Sequence, residues 1–481
     1  MHQRRPRTPR LAWLATLALV CAGGAHGQGP PAPSAALATY VHAPDPTYSW
    51  RIQRRYTNPN AEILELHLES QTWKGGLWQH QLMLVRPKRV PDPRHAVLVV
   101  GGGRWHDEFA TATAEEPLPK DGELFVAIAR ALRSTVVVLG QVPFQPLFDL
   151  TEDKLIAHTF DRYLATGDTE WPLLLPMVKA VVRAMDASSE ASLREWGAPL
   201  ERFTVTGGSK RGWTTWLTAP VDSRVTAIAP IVIDALNMRR HFPHQTQVWG
   251  APSEAIRPYT DLHLTDILGS DAGEPLRQIV DPYSYRAALT LPKLIVLATN
   301  DEYFPLDSAN LYWDGLPGPK YLLYMPNEPH GIEHFGPFVR GLRALHAAAD
   351  RGPPLPKLDW EYQWQDSQLV LCVRSAQPGA GMLKLWQASS SDRDFRDEKW
   401  ATVAQTKGAA ARFVLPRPAA GYAAAFVEAG FGRALKAFAL STNLAVFPAA
   451  GERDYGTRPG GVPGVCAAVA KAPELRAGQG S

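Results

Sequence analysis

The chain has 481 residues, 45% hydrophobic and 20% charged, with a formal charge of +3. This composition excludes a disordered chain and allows one large domain plus a smaller one. Removing residues 1–27 takes away Arg4, Arg5, Arg7 and Arg10 and no acids, so the charge falls from +3 to −1 and gives no support for nucleic-acid binding.

The N-terminus predicts an export signal. A basic start is followed by an apolar run from Leu11 to Ala22 and by small residues at Ala25 and Gly27, the three-part pattern of a secretory peptide cleaved after Gly27. The run is too short to span a bilayer. Bulky Val20 before Cys21 disfavours lipid attachment, and Arg4-Arg5 lacks the flanking residues of a twin-arginine signal. The expected location is periplasmic or secreted, with no membrane span in the mature chain.

Residues 34–350 read as a doubly wound α/β domain. Two extended segments, "AEILELHLES" and "LWQHQLMLVRP", flank a turn at Lys74-Gly75-Gly76. Strand "AVLVV" then runs into Gly101-Gly102-Gly103, followed by helix "LFVAIARAL", strand "TVVVL", an insertion, helix "PMVKAVVRAM" and strand "FTVT". Met177, Val178, Val181, Val182 and Met185 share one face of that second helix. After "GGSKRG" come helix "KRGWTTWLTA", strand "VTAIAPIVI", a second insertion, and strands "KLIVLAT" and "YLLYMP". Short apolar runs alternating with helices predict a mostly parallel sheet covered on both faces. The insertions Pro143–Pro172 and Asn237–Leu291 are expected to cap the site.

The proline-rich segment Asp350–Trp360 marks a boundary. Beyond it, strand-like runs such as "QLVLCVRS", "GMLKLWQAS" and "GYAAAFVEAGF" predict a small β-sandwich over residues 356–449, and the Gly/Pro-rich tail 450–481 reads as loose. Cys372 and Cys466 fit either one disulfide or two unpaired thiols.

The chemistry centres on "TVTGGSKRGWTTW" (Thr204–Trp216). Ser209 follows a strand and precedes a helix, with Gly207 before it and Gly212 after it, the setting of a nucleophile elbow. The pattern is G-x-S-x-x-G, because Arg211 occupies the place of the usual second glycine. A plain glycine turn is the competing reading. Chain order favours the nucleophile: Asp301 follows "LIVLAT" and His330 follows "YLLYMP", so serine, acid and histidine fall in the required order at strand ends. Glu302 and His334 are the alternatives to these two. In this arrangement His330 takes the serine proton and Asp301 orients it.

The oxyanion hole needs two backbone N–H groups, and these are assigned to Lys210 and to Gly103, with Gly102 as the alternative. Arg211 and Trp213 are assigned to substrate, Arg211 to an anionic group or to steadying the oxyanion; a salt bridge beneath the elbow is the other reading for Arg211. Trp171, Trp216, Trp249 and Trp313 fit either a cleft or core packing. His241/His244 and His330/His334 have metal-like spacings that no Cys or carboxylate cluster completes, so neither metal nor cofactor is expected.

The chain resembles the PhoPQ-activated pathogenicity-related family, to which secreted autocrine proliferation repressors of amoebae are related. The resemblance rests on "LATYVHAPDPTYSWRI", "VPFQPLFDLTEDKLIAHTFDRYLATGDTEWPLLLPMVKAV", "FTVTGGSKRGWTTWLTA", "DALNM" and "LATNDEYFPLDSANLYWDGLPGPKYLLYMPNEPHGI". It implies an α/β-hydrolase fold similar to the catalytic domain of prolyl oligopeptidases, with Ser209, Asp301 and His330 at the matching positions, and the family name implies induction under envelope stress or host contact in some bacteria. The turn is also similar to that of glucuronoyl esterases, whose arginine directly after the serine is Lys210 here. The expected activity is hydrolysis of a small-molecule ester, carbohydrate ester or peptide through an acyl-enzyme. A secreted binding or signalling protein that keeps the fold without turnover is the competing class.

Overall fold

The computed structural model describes residues 32–111, 118, 120–350, 352–376 and 380–477. The expected export signal and Cys21 lie outside them. No helix among the described residues is long and apolar enough to cross a membrane.

Nine strands form the hydrolase sheet: β1 (Ser49–Thr57), β2 (Ala61–Trp73), β3 (Gly76–Pro87), β4 (His95–Val100), β5 (Thr135–Leu139), β6 (Arg202–Gly208), β7 (Val225–Ile231), β8 (Lys293–Ala298) and β9 (Lys320–Met325). Their order is β1-β2-β3-β5-β4-β6-β7-β8-β9. Strands β4 to β9 pair in parallel, and β1 to β3 add an antiparallel edge through β3 and β5. The parallel strands are apolar along their length because helices cover both faces; all six positions of β8 are buried. Strand β4 lies between β5 and β6, where the winding direction reverses, so the loops after β4 and β6 open a crevice at their carboxyl ends.

Two of the helices that differ from the sequence expectation bear on the site. The helix expected over Pro176–Met185 runs from Leu174 to Trp196, since Ala187, Ser188, Ala191 and Ser192 continue its buried face. Small residues allow close packing there and carry no hydrophobic signal. The first insertion holds a helix, Glu152–Thr166, that buries Leu155, Ile156, Phe160 and Tyr163. Its acidic first turn is drawn to the nucleophile region by two basic residues described below.

The C-terminal region is β-rich, and one of its two sheets continues the hydrolase sheet. Strands β10 (Leu358–Gln365), β11 (Gln368–Ser375), β12 (Ala380–Ser390), β13 (Ala401–Lys407), β14 (Ala410–Pro416), β15 (Tyr422–Phe431), β16 (Phe438–Ser441), β17 (Ala445–Pro448) and β18 (Glu474–Arg476) complete the chain. The large sheet extends in the order β9-β16-β15-β12-β13, joined where Ser441 pairs with Leu322, while β10-β11-β14-β18 form a second sheet. The Tyr362 hydroxyl ties the sheets together, donating to the carbonyls of Asn443 at 2.7 Å and Ala425 at 3.2 Å. The tail, expected to be loose, is fastened as far as Ala477: Cys466 is disulfide-bonded to Cys372 across 94 residues, and β18 pairs with β14. Closing a loop of this length stabilises the fold by about 4–5 kcal/mol in the chain-entropy account.

Candidate active site

Ser209 sits between β6 and the helix Lys210–Thr218, with φ 55° and ψ −127°. A side chain in this region of backbone space is strained by about 1–3 kcal/mol. The elbow is crowded at Gly207 and Gly212, whereas a Cβ at Gly208 would meet nothing within 4 Å. A Cβ at Gly207 would lie 2.7 Å from the Arg211 carbonyl oxygen, and one at Gly212 would lie 2.9 Å from that of Gly207. Glycine is therefore required at Gly212, even though Arg211 fills the place where the usual pattern has it.

The structure brings Ser209, His330 and Asp301 into one hydrogen-bonded chain. Ser209 Oγ lies 2.9 Å from His330 Nε2, and His330 Nδ1 lies 2.9 Å and 3.0 Å from the two Asp301 carboxylate oxygens. The Tyr303 ring stacks on His330 at 4.1 Å, and the Tyr303 N–H donates to Asp301 Oδ1. Burial raises the Asp301 carboxyl above its ordinary value, and its hydrogen bond with His330 works in the opposite direction. The alternatives lie elsewhere. Glu302 accepts the His330 backbone N–H at 3.1 Å, and exposed His334 pairs with Glu328 at 2.7 Å.

Lys210 and Gly103 both carry backbone N–H groups without a partner among the described residues. Lys210 opens the helix, where N–H groups point outward and favour negative charge. Gly103 has φ +111°, and its carbonyl accepts from Gln145 Nε2 at 3.1 Å.

Of the two readings of Arg211, substrate contact and a salt bridge beneath the elbow, the structure shows the salt bridge formed. Its guanidinium makes a two-pronged pair with Glu152 at 2.8 and 2.9 Å and donates to the Val142 carbonyl at 2.6 Å. Glu152 also accepts from Gln145 Nε2 at 2.6 Å. Arg211, Glu152 and Gln145 thus form a strut that ends on Gly103. Burial opposes the Glu152 charge, but Arg211 and Lys210 outweigh it and hold the carboxyl down at about 2. Lys210 Nζ is held by the same turn, 2.9 Å from Glu152 and 3.1 Å from Asp153. The adjacent acids in "DLTED" were the signal for this clamp, but sequence alone gave them no partner.

Beside Ser209 lies a narrow cavity of about 50 Å³. Its walls are mainly apolar, with Trp213, Met238, Phe242, Tyr259, Tyr303 and Phe304 among them. Trp213 lines it and donates Nε1–H to the Val280 carbonyl. The other tryptophans pack elsewhere: Trp171 in an aromatic cluster with Trp73 and Phe148, Trp216 in the core, Trp249 against Arg396, and Trp313 against Trp360. His241 also lines the cavity, and burial drives its pKa down to about 3, so the ring is neutral. His244 pairs instead with Asp307 at 2.8 Å. Among the described residues no group of three His, Cys, Asp or Glu side chains is placed to hold a metal ion.

Asp234, just beyond β7, is a buried carboxyl near Asp301 that the sequence reading missed. It accepts the Tyr312 hydroxyl at 2.6 Å; burial, opposed by that bond and reinforced by Asp301 and Asp307, pushes its pKa up to about 8. The folded state therefore holds a proton that the unfolded chain releases near pH 4, so this group's stabilising contribution is complete below pH 4 and is lost as pH rises through about 8. Asp234→Asn is expected to remove a slope of about 1.4 kcal/mol per pH unit. Urea denaturation of both proteins at pH 5, 6 and 7 measures it, and equal slopes would reject the assignment.

The fold is that of the α/β hydrolases, with a serine elbow and its histidine and acid partners at the carboxyl edge of the parallel strands. The chain belongs to the PhoPQ-activated pathogenicity-related protein family, whose profile matches residues 37–396. Autocrine proliferation repressor protein A of Dictyostelium discoideum is 30% identical over 436 residues, covering 83% of this chain and 86% of that protein. Among solved structures, acetyl xylan esterase 1 from a Thermoanaerobacterium species aligns at 15% identity and TM-score 0.45, covering 65% of this chain and 92% of its own. A glucuronoyl esterase from Solibacter usitatus aligns at 12% and 0.38, covering 66% and 92%.

Proposed function

We propose that the protein is an exported serine hydrolase that cleaves an ester or peptide bond through an acyl-enzyme on Ser209. The observation that carries this reading is the continuous contact from Ser209 Oγ to His330 Nε2 and from His330 Nδ1 to Asp301, each at 2.9 Å. His330 takes the Ser209 proton as Oγ attacks the substrate carbonyl, Asp301 holds the ring and stabilises its charged form, and the N–H groups of Lys210 and Gly103 receive the developing oxyanion. His330 then protonates the leaving group, and water attacks the acyl-enzyme by the same route in reverse.

The narrow apolar cavity beside Ser209 favours a small apolar acyl group or side chain next to the scissile bond. Charge recognition at the elbow is disfavoured, because Lys210 and Arg211 are both neutralised by Glu152 and its neighbour Asp153. This argues against the glucuronoyl-esterase analogy, in which a basic residue beside the serine takes part in the reaction. In the present reading Arg211 is a positioning residue for the Gly103 loop.

A fluorophosphonate probe tests the proposal. Wild-type protein is expected to be labelled on Ser209, with labelling abolished in Ser209→Ala and reduced at least 100-fold in rate in His330→Ala. An unlabelled but folded wild type would leave the competing class, a binding or signalling protein on a hydrolase fold, as the better reading.

A further inference from the structure

The sheet carries a second concavity at the end away from Ser209. It has a volume of about 990 Å³ and is lined in part by Pro91 before β4 and by Leu132 and Arg133 before β5. These positions lie at the amino ends of the strands, whereas Ser209 and the loop after β4 lie at the carboxyl ends. A strand of six residues such as β4 separates the two levels by about 20 Å.

Five cationic side chains from three separate segments line this groove. Arg133 comes from the β5 corner, Arg340 and Arg343 from helix Gly336–Ala349, and Arg433 and Lys436 from the turn joining β15 to β16. No carboxylate stands among the described lining residues, and none of the five forms an ion pair or side-chain hydrogen bond with a described residue. The acids nearest in sequence to the lining, Asp92 and Asp350, are both committed to Arg202. Arg343 is half-buried, and Arg133, Arg340, Arg433 and Lys436 are exposed around it.

Like charges held together repel, and here the backbone fixes them in place. Arg340 and Arg343 stand one helical turn apart on one face. Arg133 adopts φ 56° where its helix ends, a left-handed position that usually falls to glycine. The β15–β16 turn is pinned by the Lys436 N–H donating to the Arg433 carbonyl at 3.0 Å, and at Gly432, with φ 71°, any side chain would collide with the Lys436 carbonyl. Leu132, Leu355, Pro354, Phe431 and Phe438 supply an apolar floor beneath these charges.

We propose that this groove binds an acidic oligosaccharide, with its carboxylate or phosphate groups on the arginines and its apolar sugar faces on the floor. Five cations favour a ligand that carries more than one negative charge, and arginine forks suit carboxylate and phosphate alike. The volume lies at the upper end of the range for small-molecule sites and far exceeds a lone phosphate. The inference is independent of the Ser209 chemistry.

Calorimetric titration of the full mature protein with trigalacturonic acid, trehalose 6-phosphate, neutral maltotriose and a short single-stranded oligonucleotide tests the proposal. Wild type is expected to bind at least one acidic sugar, more weakly as salt rises, and to ignore maltotriose; the two acidic probes separate carboxylate from phosphate recognition. The triple variant Arg340→Ala/Arg343→Ala/Arg433→Ala is expected to bind at least ~100-fold more weakly, with Ser209 labelling unchanged. Should that variant fail to fold, Arg433→Gln/Lys436→Gln, confined to the exposed turn, is expected to weaken binding by about 10-fold or more. Binding of neither acidic sugar, equal binding of maltotriose, tighter binding of the oligonucleotide, or unchanged affinity in a folded variant would each overturn the proposal.

Discussion

Ser209→Ala is expected to lower kcat on an activated ester such as p-nitrophenyl acetate by roughly 10⁵–10⁶, with KM nearly unchanged. In the proposed reaction the loss is large, because removing Ser209 Oγ disables the whole acyl-enzyme route and leaves only oxyanion stabilisation and binding. His330→Ala is expected to cost a similar factor and the double variant little more, since the two residues act as one unit. Asp301→Asn should cost about 10⁴, because Asp301 is 8% exposed and its carboxylate faces Nδ1 with both oxygens. Steady-state kinetics on the three single variants and the double variant measure this. Losses that multiplied in the double variant would show that Ser209 and His330 do not share one step.

The second large effect is structural. Asp307 is 1% exposed and lies 2.8 Å from His244 Nε2 and 2.7 Å from Arg393 Nη2, with the Thr457 hydroxyl also bonded to it. These partners hold its carboxyl far below the usual carboxylate range despite its burial. One side chain therefore joins the second insertion, the loop after β8 that carries Asp301, and the C-terminal region. Asp307→Ala is expected to destabilise the protein by about 3–5 kcal/mol, because Arg393, itself 4% exposed, is left as an unpaired buried charge. Asp307→Leu/Arg393→Met is expected to recover part of that loss, since apolar side chains of similar volume remove both charges. Equilibrium urea denaturation compares the two variants. A double variant no more stable than the single one would mean that packing at this junction, and not charge, is at stake.

How much was legible depended on the range of the interactions. The parallel strands were readable from their unbroken apolar runs, and so was the position of Ser209, Asp301 and His330 beyond strand ends, because local sequence encodes where a strand stops. Helix Glu152–Thr166 was missed inside an insertion. The helix ending at Trp196 was cut short because small residues such as Ser188 and Ala191 bury without announcing it. Arg211 was turned toward substrate because its partner Glu152 stands 59 residues away.

The sequence by itself determined the parallel strands, the strained turn that presents Ser209, and the chain's place among the PhoPQ-activated pathogenicity-related proteins. Each depends on periodicity, on glycine placement or on residues close along the chain. The tertiary structure alone decided that Arg211 braces the Gly103 loop, that Cys372 finds Cys466, that the C-terminal strands extend the main sheet, and that five cations from three segments share one groove. Electrostatic pairing and strand registry across 59, 94 or 119 residues depend on distances in space, which hydrophobic pattern leaves unspecified.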